Sequence, residues 1–133
     1  MRIFLDANVL FSAGRSDGAM RQFLRLLTED GHELHADTYV AEEARRNLSA
    51  KAAGTGDALD ENLDQVTVAV FVPGHHPPST HVLPEKDRPV LAAAIRLKCD
   101  VLVTGDRSHF GQLYGKTIDG VTIHSPRSLA ESL

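Results

Sequence analysis

Apolar residues along this chain fall into two kinds of run, and the two kinds alternate. Ile3-Phe4-Leu5 is an unbroken triplet closed by Asp6, the pattern of a short strand buried on both faces. A helix is predicted near Ala19 to Thr28, where Phe23, Leu24 and Leu27 gather on one side and Arg21 and Arg25 on another; Gly31 stops it. Glu33-Leu34-His35-Ala36 reads as a weak strand. Asp37 or Thr38 then caps a helix in which Val40, Ala44 and Leu48 recur every four residues, and Lys51 to Gly56 break it. Ala58 to Gln65 is a further helical piece. Val66 to Val72 is rich in β-branched residues and reads as a strand ended by Pro73-Gly74. His75 to Pro84 is a proline-rich loop. Asp87-Arg88-Pro89 opens a helix carrying Val90, Leu91, Ala94, Ile95 and Leu97. Val101-Leu102-Val103 is a second buried strand, ended by Gly105, and Val121-Thr122-Ile123 is the last.

Strands alternating with helices predict an α/β fold, a mostly parallel sheet covered by helices on both faces and joined by right-handed crossovers. Periodicity does not give the strand order. In open sheets of this kind, however, sites collect at the carboxyl ends of strands where the order reverses.

Composition narrows the function classes. A length of 133 residues suits a single domain spanning 1–133, and 42% hydrophobic with 24% charged residues argues against disorder. No apolar run approaches the roughly 18 residues of a membrane span, and Asp6 interrupts the first apolar stretch, so neither a membrane anchor nor a secretory signal is expected. Cys99 is the sole cysteine, which excludes an intrachain disulfide and a multi-cysteine zinc site and suits the cytoplasm. A net charge of −4 is wrong for a protein that coats DNA. It remains compatible with a nucleic-acid enzyme whose acids hold a metal.

Four acids stand out. Asp6 and Asp106 each follow a buried strand, where a turn or helix cap is the ordinary use of an acid. Asp87 stands at a helix start and is well placed to cap it. Glu43 borders the Val40/Ala44 stripe, whereas Glu42 points further round. Capping explains each acid singly and the set poorly. The apolar residues before Asp6 predict that it is half-buried, which is costly for a carboxylate without a partner. Converging carboxylates resist joint ionisation, and a divalent cation removes the conflict. An all-oxygen set suits Mg²⁺ or Mn²⁺, and with it hydrolysis of phosphodiesters.

These residues resemble the motifs of PIN-domain nucleases. Ile3 to Leu10, an apolar strand ending in Asp-x-Asn, is similar to the opening motif. Val40 to Leu48 resembles the second motif, with Glu43 as its acid. Asp87 to Ala94 resembles the third, and Leu102-Val103-Thr104-Gly105-Asp106 the fourth. The resemblance runs from Ile3 to about Phe110. It implies a three-layer α/β/α sandwich with a central parallel sheet of four or five strands, and a Mg²⁺- or Mn²⁺-dependent endoribonuclease. Asp6, Glu43, Asp87 and Asp106 would be the catalytic and metal-binding residues, with Asn8 and Thr104 as supporting polar groups. Many small members are VapC-type toxins, held inactive by a cognate antitoxin and often homodimeric.

Basic residues flank the acids in sequence. Arg45, Arg46, Arg88 and Arg107 are candidates for phosphate contacts, with Arg15, Arg21 and Arg25 beyond them. With no tryptophan and few other aromatic residues, recognition by RNA shape and backbone is expected over stacking. His75, His76 and His81 read as an exposed loop and not a zinc site. His109, close after Asp106, could touch substrate but reads first as a surface residue, and Cys99 reads as a small packed one. Two other readings compete. A haloacid-dehalogenase-like phosphatase would need a second aspartate where Asn8 stands, and a downstream lysine that is not evident. A non-catalytic RNA-binding or scaffolding module would keep the fold without binding metal. No phosphate-loop sequence occurs.

Overall fold

Five short strands pair in parallel, and their sequence order is broken in the middle of the sheet. A computed structural model describes residues 1–51, 56–74 and 76–133. Strand β1 (Arg2–Leu5) leads into helix α1 (Ala7–Arg15), then α2 (Ala19–Glu29), β2 (Glu33–Asp37), α3 (Thr38–Lys51) and α4 (Gly56–Leu63). There follow β3 (Val66–Ala69), α5 (Arg88–Arg96), β4 (Val101–Val103), the single turn α6 (Arg107–Phe110), β5 (Thr117–Ile118), β6 (Val121–His124) and α7 (Pro126–Ser132). The sheet order is β3-β2-β1-β4-β6-β5. All neighbours are parallel except β5 and β6.

The expected parallel sheet of four or five strands is therefore five parallel strands plus a sixth. The sixth is a two-residue edge strand, β5, that runs antiparallel. Asp119 and Gly120 sit between β5 and β6 at φ 47° and 86°, the left-handed pair that a tight hairpin demands. This Asp-Gly signal lay in the sequence but was not read as a hairpin.

The core lies on both faces of β1 and β4. Ile3, Phe4, Leu5 and Leu102 are fully buried, as are Leu10 of α1, Leu48 of α3, Leu91 of α5 and Phe110 of α6. Helix α1 was not predicted. Its Asn, Val, Phe, Ser and Gly are weak helix formers. It forms because Asp6 caps it and because Val9, Leu10 and Ala13 bury one face. Gly14 brings α1 close to its neighbours: a Cβ there would stand 3.0 Å from Leu48 Cδ1 and 3.2 Å from Leu59 Cβ. At the other end of α2, Gly31 adopts φ 87° and the His32 N–H reaches back to the Leu27 carbonyl, the predicted stop.

The weak β2 reading proves to be an interior strand, with Leu34 to Asp37 all buried. Asp37 does the capping of α3, accepting from the Val40 N–H at 3.1 Å. Strand β3 ends at Ala69, short of the predicted Val72, and Val68, Val70 and Val72 are exposed. Residues 52–55 of the predicted break, and His75 of the predicted loop, lie outside the described residues. Among the described residues, no helix is long and apolar enough to cross a membrane.

Candidate metal centre

The order of the sheet reverses between β1 and β4, so their carboxyl ends open side by side onto one cleft. Asp6 leaves β1 there. Its Oδ1 accepts from the Ala7 N–H at 2.7 Å, capping α1. Its Oδ2 accepts from the Thr104 hydroxyl at 2.8 Å and from the Asn8 amide at 3.2 Å. The other end of the Asn8 amide accepts from the Gly105 N–H at 2.7 Å, and Thr104 Oγ1 accepts from the Asp106 N–H at 3.1 Å. Tyr114 holds the same turn from outside, its hydroxyl donating to the Thr104 carbonyl at 2.8 Å. Asn8 and Thr104 thus tie the end of β1 to the end of β4. Gly105 packs closely at this point: a Cβ would stand 3.2 Å from Asn8 Oδ1 and push that side chain aside.

Helix α3 supplies the second wall. Glu43 is half-buried and faces the cleft, while Glu42 is exposed and faces a different depression together with Arg45 and Asp60. Asn47 and Lys51 follow Glu43 at the four-residue spacing of one helix face and line the same cleft. Helix α5 brings Asp87. It occupies the N-cap position but makes no capping bond, contrary to the structural use read for it. Its side chain is buried instead, and Oδ2 receives no hydrogen bond. The Tyr39 hydroxyl donates to the Lys86 carbonyl at 2.9 Å and so holds the turn before it. Asp106 caps α6, its Oδ1 accepting from the His109 N–H at 3.2 Å.

Asp6, Glu43, Asp87 and Asp106 therefore line one cleft of about 200 Å³, together with Asn8, Lys51 and Lys86. A larger groove of about 250 Å³ beside Phe71, Pro77 and Ile95 is apolar and holds no carboxylate.

His109, read as a surface residue that could touch substrate, is half-buried beside the acids: Nδ1 lies 2.8 Å from Asp106 Oδ2 and 3.0 Å from Asp87 Oδ2. Arg45 turns away from the cleft and pairs with Asp60. Arg46 and Arg107 are exposed, and Arg88 donates from Nε to the Leu83 carbonyl at 3.0 Å; none of the three lines the cleft. The cations that do are Lys51 and Lys86, which the sequence reading passed over. Their signals were position: Lys51 sits two helical turns past Glu43, and Lys86 precedes Asp87. His76 and His81 take no part, and Cys99 is packed in the core, where burial pushes its thiol up to about 11.

Electrostatics single out the same place. Burial pushes the Asp6 carboxyl up from 3.8 to about 6; bonds from Thr104 and Ala7 oppose the rise, and the charges of Glu43 and Asp87 add to it. Burial also raises Asp87, with His109 lowering and Asp106 raising it further. Tyr39 is raised by burial first, then by Glu43 and Asp87. A cleft that raises the Asp6 and Asp87 carboxyls, and leaves a buried Asp87 oxygen without a hydrogen bond, fits a hard divalent cation bound by oxygen.

A PIN-domain family model matches residues 2–108. Among solved structures, the chain is similar to VapBC2 from Rickettsia felis bound to a DNA fragment from their promoter. The TM-score is 0.67 and the identity 16%, over 94% of this chain and 98% of that one. It is also similar to Mycobacterium tuberculosis VapC20, a sarcin-ricin loop cleaving toxin. There the TM-score is 0.54 and the identity 11%, over 80% of this chain and 91% of that one. Comparison with curated proteins finds no match.

Proposed function

The chain belongs to the PIN-domain family, and from that premise we propose that it is a divalent-metal-dependent endoribonuclease, the toxin of a toxin–antitoxin pair, formed as one domain over residues 1–133. One observation carries the reading: four acids from distant parts of the chain converge on a cleft at the sheet's switch point, and one buried carboxylate oxygen among them has no hydrogen bond. Asp6, Glu43, Asp87 and Asp106 would hold Mg²⁺ or Mn²⁺. When bound, such an ion supplies Lewis-acid stabilisation of charge on phosphoryl oxygens and makes water a better nucleophile near neutral pH.

The chain's own groups do the rest. Thr104 and Asn8 fix the Asp6 carboxylate in one orientation, so little rotamer freedom is lost when it engages a ligand. The His109 backbone does the same for Asp106. Lys51 and Lys86 set positive charge against the acids, suited to phosphates on either side of the scissile bond. Arg46, Arg88 and Arg107 extend that charge outside the cleft. Structured RNA is the substrate class this favours, since aromatic platforms are few. A fold shared with VapC20 and with VapBC2 supports RNA as substrate and a cognate antitoxin as partner.

The test is cleavage of structured RNAs with Mn²⁺, with Mg²⁺ and with chelator. Cleavage should require metal and fall by at least about 100-fold in Asp106→Asn. Full activity in excess EDTA, or in that variant, would refute the nuclease reading. RNA binding with neither cleavage nor Mn²⁺ uptake would favour the non-catalytic module.

A further inference from the structure

His109 borders the cleft beside Asp87 and Asp106, and neither the acid motifs nor the phosphate contacts use it. Its backbone is fixed. Phe110, next in α6, is fully buried and its N–H donates to the Asp106 carbonyl at 2.9 Å, while the His109 N–H is held by Asp106 Oδ1. The ring is therefore brought to the carboxylates by the fold and does not merely lie near them.

The ring stands within ion-pair distance of both carboxylates, but neither contact has hydrogen-bond geometry. Nδ1 lies 2.8 Å from Asp106 Oδ2 and 3.0 Å from Asp87 Oδ2, yet Nδ1 and Asp87 Oδ2 are both buried and both left without a hydrogen bond. Asp87 itself is only 9% exposed. One ligand atom from each of Asp87, Asp106 and His109 lies within 4.8 Å of the other two. Around a dication with octahedral ligands at ~2.1 Å, adjacent ligand atoms stand roughly 3.0 Å apart. The separations of Nδ1 from the two oxygens match an edge of such a shell.

Resting on the metal-centre reading above, we propose that His109 is a ligand of that centre through Nδ1, and that the centre thereby favours a transition-metal dication such as Mn²⁺ over Mg²⁺. Imidazole nitrogen is a softer donor than carboxylate oxygen. It suits first-row transition metals, whereas Mg²⁺ prefers oxygen and keeps its water. The nitrogen adds a donor without adding another negative charge to a cleft that already raises the Asp6 and Asp87 carboxyls.

Pulsed EPR on the full chain loaded with Mn²⁺ reads this directly. A directly bound imidazole gives ¹⁴N modulation of the Mn²⁺ echo, which ¹⁵N-histidine labelling must shift. The modulation should vanish in His109→Gln and persist in His124→Gln. By calorimetry, His109→Gln should weaken Mn²⁺ binding by at least about tenfold, the loss already typical of outer-sphere partners, and Mg²⁺ binding by much less. The spectrum of the unmutated chain needs no variant to fold. Mn²⁺ bound without ¹⁴N modulation, or modulation that survives His109→Gln, overturns the ligand role and leaves the acidic centre standing. No Mn²⁺ uptake by the unmutated chain, or binding and modulation indifferent to Asp106→Asn, overturns both.

Discussion

Replacing Asp6 by asparagine should make the metal-free protein more stable at neutral pH while removing its activity. Asp6 is 5% exposed and burial lifts its carboxyl from 3.8 to about 6. Ionising it in the folded chain therefore costs about 3 kcal/mol more than in the unfolded chain. The sign follows from proton binding. The folded chain keeps this proton to higher pH than the unfolded chain does. Its contribution is intact below about pH 4, is lost as pH rises to about 6, and is flat beyond that. Asparagine escapes the penalty but not freely. Its amide still accepts from the Ala7 N–H, yet it presents a donor where Oδ2 accepts from Thr104 and Asn8, at a cost of about 1 kcal/mol. The variant should gain about 2 kcal/mol at pH 7.5 in EDTA, or roughly 7 °C for a chain of this length, and should be the less stable of the two below pH 4. Metal reverses the order, since an ion at a hundred times its Kd stabilises the unmutated chain by about 2.7 kcal/mol and the variant far less. Urea and thermal unfolding followed by circular dichroism from pH 3.5 to 8, with chelator and then with Mn²⁺, measure every part of this. A stability difference that does not vary with pH, or a variant weaker than the parent at pH 7.5 in EDTA, would refute the claim that Asp6 is strained by its surroundings.

Two glycine substitutions separate the site from the scaffold. Gly105→Ala places a Cβ 3.2 Å from Asn8 Oδ1, so Asn8 must shift and Asp6 loses its fixed orientation. RNA cleavage should drop at least about tenfold while unfolding free energy changes by less than ~1 kcal/mol, and equal losses in both would contradict this. Gly14→Ala crowds Leu48 and Leu59, and its overpacking cost of about 1–3 kcal/mol should exceed the ~1 kcal/mol that alanine gains in a helix. A denaturant midpoint above that of the parent would show that α1 has room to move.

Legibility in the sequence depended on whether a signal was local. Ile3-Phe4-Leu5 and Val101-Leu102-Val103 were plain because strands buried on both faces need unbroken apolar runs. Glu43 could be preferred to Glu42 because helix periodicity sets which residue borders the apolar stripe. The fate of His109 was not readable in this way. Its position depends on α6, a single turn, and on how α5 delivers Asp87 beside it, and neither is periodic. Lys86 and Arg45 show the same limit in opposite directions: nearness to an acid in sequence put the lysine in the cleft and left the arginine outside it. Helix α1 shows tertiary packing overriding weak propensity, since its residues favour a helix only once Asp6 caps them and Leu48 and Leu59 cover them.

The hydrogen bond from Thr104 to Asp6 joins residues 98 apart, and Asp106 comes still later in the chain. During synthesis, then, the first acid emerges long before the last. A nascent chain, or one clipped between α5 and β4, holds an incomplete set of donors. The four-acid cleft is complete only when β4 has paired beside β1.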